Sequence, residues 1–440
     1  MSRSFRAPVM LAALVALSSC GVFKGGDKKT PTVGQRVPIL VSENQAEVDA
    51  ALASVPVTLP APAANDAWAQ PGGNAEKSLG HLQFGDAPAR VWTAQIDGGS
   101  NRQRLASAPV VAENKLFVID VDAVVHAFDA ASGRKLWSAG IVEGDENRAA
   151  RFGGGVSYDA GRVFATSGLG DVVALNAADG AVAWRAKPGG PLRGSPTVAN
   201  ETVYVLSQDN QIFALNQPDG RVRWAASGTI ETQGVFGVAA PASAQGTVVA
   251  GFSSGDLNAY RYENGRVLWQ DALSRTSIST SVSSLADIDA SPVIDGGRVF
   301  AVGEGGRMVS LDLATGQRLW EQNIAGIETP WVAGEWVFVV GDDGRLFCLS
   351  RATGRARWIA QLPAFRNVKK RSGPITWFGP ILAGNRLVLT NSRGAIAYVN
   401  PVDGAVNATV EGAERFSLPP VLANATLYTL DEQGRISAYR

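Results

Sequence analysis

Short apolar runs and polar turns alternate along this chain, and the same order returns every 40–50 residues or so, about the length of one four-stranded repeat unit. Between Gly306 and Trp320 an apolar run from Met308 to Leu311 leads into Asp312-x-x-x-Gly316, and a second run ends in Trp320. This predicts two strands joined by a tight turn. The Asp bonds the turn backbone, and the Gly supplies the residue with positive φ. The same Gly-to-Trp spacing recurs at Gly133/Trp137, Gly180/Trp184, Gly220/Trp224, Gly265/Trp269 and Gly354/Trp358. A small residue precedes each turn, as at Ala127, Ala174, Ala214, Ala259, Ser310 and Cys348. A seventh copy runs through Asn400 and Gly404 but has Ala408 in place of the Trp. An eighth stops at Tyr439 without its last strand.

Upstream of each hairpin lies a short strand, often marked by Pro, as at Pro109, Pro196, Pro292 and Pro380, and then a second strand. Pro is tolerated at the start of a strand and not within a central one. Each unit is therefore four short antiparallel strands. The fold class that follows is all-β: an eight-bladed β-propeller over residues 89–440. Trp92, which has no hairpin before it, marks the strand that closes the last blade and hides the edges of an open ring. The Trp residues are expected to pack between blades.

The N-terminus changes the picture of location. Arg3 and Arg6 precede an apolar run from Ala7 to Leu17, the pattern of an export signal too short to span a bilayer. Leu17-Ser18-Ser19-Cys20 resembles a bacterial lipobox, so residues 1–19 are expected to be removed and Cys20 to carry the lipid. Gly21, not Asp, follows it and favours the outer membrane. Residues 20–88 read as a lipidated tether and lead-in, with Trp68 against the ring.

Composition mostly excludes. Lys and Arg number 40, Asp and Glu 40, so no basic excess points to nucleic acid. There are two histidines, His81 and His126, and no His-x-x-His spacing or Ser/His/Asp set, so neither a metal nor a catalytic residue is expected. The His126 position holds Val173, Phe213 and Asn258 in other copies and reads as an ordinary blade position. Cys348 occupies the small-residue position and reads as buried.

The hairpins, as in Ala127-Phe128-Asp129 to Gly133 and Trp137, resemble the repeats of pyrroloquinoline quinone-dependent dehydrogenases. Such enzymes carry adjacent cysteines and bind Ca²⁺, and this chain has no Cys-Cys pair. A lipobox followed by a ring of these repeats resembles the BamB family, the lipoprotein scaffolds of the β-barrel assembly machinery. That resemblance implies no enzyme activity and no cofactor. It implies a lipid-anchored place on the periplasmic face of the outer membrane, docking on the POTRA domains of a BamA-like insertase, and unfolded outer-membrane proteins as clients. The segment Leu285-Ala286-Asp287-Ile288-Asp289 is similar to the family's docking segment, which makes Leu285, Asp287 and Asp289 partner-binding residues. On an extended segment the two carboxylates face the same way. A second docking loop is implied at Gln233, Val235 and Phe236, where better-known members have leucines and an arginine. The alternatives are a quinone-dependent dehydrogenase and a propeller scaffold serving another envelope complex.

Overall fold

The structure, a computed structural model, describes residues 46–440 except 101, 145–146, 230–238, 274–286 and 413. Eight four-stranded antiparallel sheets follow one another as the blades of a ring. The first consists of Val110–Ala112, Lys115–Ile119, Val124–Asp129 and Lys135–Gly140. The eighth combines Val421–Ala423, Thr426–Leu430 and Arg435–Tyr439 with Arg90–Gln95, which pairs antiparallel to Arg435–Tyr439. Trp92 thus closes the ring as expected. The first three strands of a blade are buried nearly throughout, whereas the fourth buries little beyond its Trp, as in Val222–Ser227.

The repeat has a single physical cause. In each of the first six blades the small residue pairs directly across the strands with the Trp, as in Ser310 with Trp320 and Cys348 with Trp358. Directly opposed side chains share one face of the sheet, so a small partner leaves room for the indole. That ring then covers the turn glycine of the next blade. A Cβ on Gly354 would stand 2.6 Å from Trp320. The indole N–H donates to the same turn, as from Trp320 Nε1 to Arg351 O at 2.9 Å. Blade seven reverses the sizes, with Tyr398 opposite Ala408. No hairpin follows it for a Trp to cover, because the last two strands of blade eight come from opposite parts of the chain.

The lead-in belongs to the ring unit, which runs from Asn44 to Arg440. Residues 65–84 bond the first strand of every blade in turn, with Trp331 in blade six reached through its indole. Asn65 receives the Asn424 N–H, Trp68 exchanges two backbone bonds with Val111, and Ala69 receives the Tyr158 N–H. Gln70 bonds both backbone groups of Val198. Ala75 and Glu76 receive the N–H groups of Ser243 and Ile294, Gly80 the Trp331 indole, and Leu82 pairs with Leu382 and Gly384. Trp68 is 3% exposed and stacks on Trp331 at 6.0 Å. The segment plugs one end of the channel.

Candidate docking surface

The other end of the channel is walled by the residues just before each first strand. There, Leu192–Ala199 begins blade three and carries Arg193, whose side chain is 3% exposed. Asp287 and Asp289 lie on the extended approach to Val293–Asp295 of blade five. Ile288 between them is buried and packs over Gly251. That turns both carboxylates the same way, as expected, and both accept from one nitrogen. Arg193 Nη2 is 2.9 Å from Asp287 Oδ1 and 3.0 Å from Asp289 Oδ1. The acids are therefore not open charges on a rim. Asp287 is 2% exposed and Asp289 9% in their side chains. Asp287 Oδ2 is buried without a donor. Burial raises the pKa of Asp289, the Asp287 charge raises it further, and Arg193 opposes both.

Beside this cluster is a pit of about 130 Å³, floored by Trp68, Pro71 and Gly72 of the plug and walled by Ser195, Asp289 and Glu328 among others. Glu328 Oε2 accepts the Gly379 N–H at 2.9 Å. Crowding strips this carboxylate of water and pushes its pKa up to about 8, against that hydrogen bond. A pit this small is below the roughly 300–1,000 Å³ of ordinary ligand sites. Cys348, the one cysteine among the described residues, is free and buried opposite Trp358. Among the described residues no group of three or more His, Cys, Asp or Glu is placed to hold a metal ion. The donors and the room of this pit do not fit a quinone with its cation.

Of the residues marked in the sequence, Asp287 and Asp289 come together. Leu285, Gln233, Val235, Phe236 and Cys20 lie outside the described residues. Both docking loops connect the fourth strand of one blade to the first of the next, Val222–Ser227 to Ala242–Ala244 and Val267–Ala272 to Val293–Asp295, so both leave from one rim. Arg193 and Glu328 were missed. A signal for Arg193 was available: it stands three residues before Pro196, as Asp289 stands three before Pro292. His126 is also more than a neutral blade position, because its Nε2 meets Asp120 Oδ2 at 2.7 Å in a buried pair.

A family model described as outer membrane protein assembly factor BamB matches residues 88–148 and 121–360. The chain belongs to the BamB family. BamB of Escherichia coli K12 is 32% identical over 243 residues, covering 54% of this chain and 62% of that protein. The match thus spans less than two thirds of the length of such curated relatives. BamB of Moranella endobia is 25% identical over 80% of this chain and 90% of its own. Among solved structures, BamB from Moraxella catarrhalis superposes with a TM-score of 0.68 at 17% identity, covering 80% of this chain and all of that one. A quinohemoprotein alcohol dehydrogenase from Comamonas testosteroni gives 0.66 at 12%, over 85% and 80% of the two chains. At these identities the likeness is one of fold, and it extends to enzymes and BamB alike.

Proposed function

We propose that this chain is a non-enzymatic scaffold of outer-membrane protein assembly, tethered by a lipid on Cys20 to the periplasmic face of the outer membrane. It docks on the POTRA domains of a BamA-like insertase and assists unfolded barrel proteins there. The observation that carries this reading is the buried Arg193–Asp287–Asp289 cluster in a member of an assembly-factor family. Asp287 acts by positioning: with Arg193 it ties the entrance of blade three to that of blade five, where the second loop ends. Asp289 borders the pit and is the carboxylate a basic partner residue reaches. Gln233, Val235, Phe236 and Leu285 supply the apolar and polar contacts around it. Charges so placed set register and specificity more than raw affinity.

Calorimetry of the mature chain with the insertase's periplasmic domains tests this. Asp289→Asn with Phe236→Ala should weaken binding about tenfold or more, because an apolar anchor at the centre of a patch carries much of the energy. Asp287→Ala should also lower the melting temperature, since it removes one of the carboxylates that a buried guanidinium bonds. A double variant that binds like the wild type would remove the site assignment. A folded wild type with no affinity would remove the scaffold reading and leave another envelope partner.

A further inference from the structure

The chain as a whole is neutral, yet residues 344–402 hold ten basic residues and no acidic one. Six of the ten are occupied. Arg345, Arg351 and Arg355 pair with Asp343, Asp295 and Asp49. Arg357, Arg386 and Arg393 donate to backbone carbonyls. The other four, Arg366, Lys369, Lys370 and Arg371, are exposed and have no acidic partner among the described residues. All four lie on one small ribbon outside the blades. Phe365–Asn367 pairs with Ser372–Pro374 in a two-stranded sheet inserted between blades six and seven.

This ribbon is built and fixed at its base. Ile375 N–H donates to Ala364 O at 2.9 Å, and the buried Trp377 donates its indole N–H to Pro363 O at 2.9 Å. Its turn is closed by the Lys370 N–H on Asn367 Oδ1 at 3.0 Å. At the tip stands Val368, 74% exposed, flanked by the cations. The ten residues 365–374 are fewer than the roughly 20–30 a side of a stable protein interface. A planar anionic surface needs no such area, since each cation brought near it adds attraction by charge alone.

We propose that residues 365–374 form a membrane-contacting hairpin, whose four cations bind the anionic headgroups of phospholipids while Val368 enters the headgroup layer. The inference rests on the proposed placement at the outer membrane. It is independent of insertase docking, so the two fail separately. The test is flotation of the mature chain with Cys20→Ser, which carries no acyl group, on phosphatidylethanolamine/phosphatidylcholine vesicles with and without phosphatidylglycerol. Binding should require phosphatidylglycerol and disappear at high salt. Lys369→Ala with Lys370→Ala should lower partition roughly 30-fold, at about fivefold per cation, with melting temperature and insertase affinity unchanged. Equal binding to neutral vesicles, or unchanged partition of the double variant, would overturn the proposal. So would loss of insertase affinity in that variant, which would make the ribbon part of a protein interface.

Discussion

Gly316 lies against Trp269 across the boundary between blades four and five. A Cβ on Gly316 would stand 2.5 Å from Trp269 Cγ, and the residue has φ +72°. Gly161, in a turn between the first two strands of blade two, has a similar φ of +77°, but a Cβ there would meet nothing within 4 Å. The two positions separate backbone strain from the packing of one blade on the next.

Gly161→Ala should therefore cost about 1 kcal/mol, the price of the left-handed backbone alone. Gly316→Ala should cost about 2–4 kcal/mol in all, because forcing extra volume into a packed site adds roughly 1–3 kcal/mol. Denaturant titration of both variants measures the difference. Equal losses would mean that Trp269 yields freely and does not set the spacing of the blades.

The plug makes a second prediction. Removing residues 46–88 frees backbone groups on seven first strands and the Trp331 indole, and exposes Trp68's partner Trp331. A chain beginning at Ala89 should melt well below one beginning at Ala46. Hydrogen exchange should rise first at Val111, Tyr158, Val198, Ser243 and Ile294, whose N–H groups the lead-in holds. Unchanged protection at those five amides would show that the ring is complete without its lead-in.

A third prediction concerns pH. The Glu328 pKa is about 8 in the fold and near 4.3 unfolded, so the native state binds the extra proton between those values. Stability from this group is full below about pH 4 and is lost as pH rises toward 8. Lys77, 1% exposed with Nζ 3.1 Å from Thr197 Oγ1, behaves oppositely. Burial lowers its pKa to about 7, so its charging penalty is relieved as pH rises from there toward the unfolded value of about 10.4. Melting curves across this range should show a downward slope that Glu328→Gln reduces, and a later upward one that Lys77→Met removes. Slopes unaffected by either substitution would show that these two groups do not titrate as placed.

The blade register was legible because each repeated residue does two things at once. Ser310 makes room for Trp320, Trp320 covers Gly354, and Gly354 closes the next turn, so no one of them varies freely. The cluster was legible only by half. Asp287 and Asp289 stand two apart, and the period of a strand orients both, but Arg193 is 94 residues from Asp287 and meets it only because blades three and five approach one axis. Of the plug, only Trp68, expected against the ring, was legible. Its residues meet eight different blades one or two at a time, so no periodicity of helix or strand could build up between Asn65 and Phe84.

The pairing of Arg90–Gln95 with Arg435–Tyr439 also orders events in time. In a chain exported from its N-terminus, the strand bearing Trp92 is among the first to cross and its partner among the last. Closing a loop of that length demands a long search, and contacts so distant in sequence form slowly. Seven blades can assemble while Arg90–Gln95 waits unpaired, an open strand edge of the kind that chaperones shield and aggregation exploits. Once Tyr439 arrives, the ring locks with both termini of the strand pair tied, Ala89 to Arg440, by two backbone bonds.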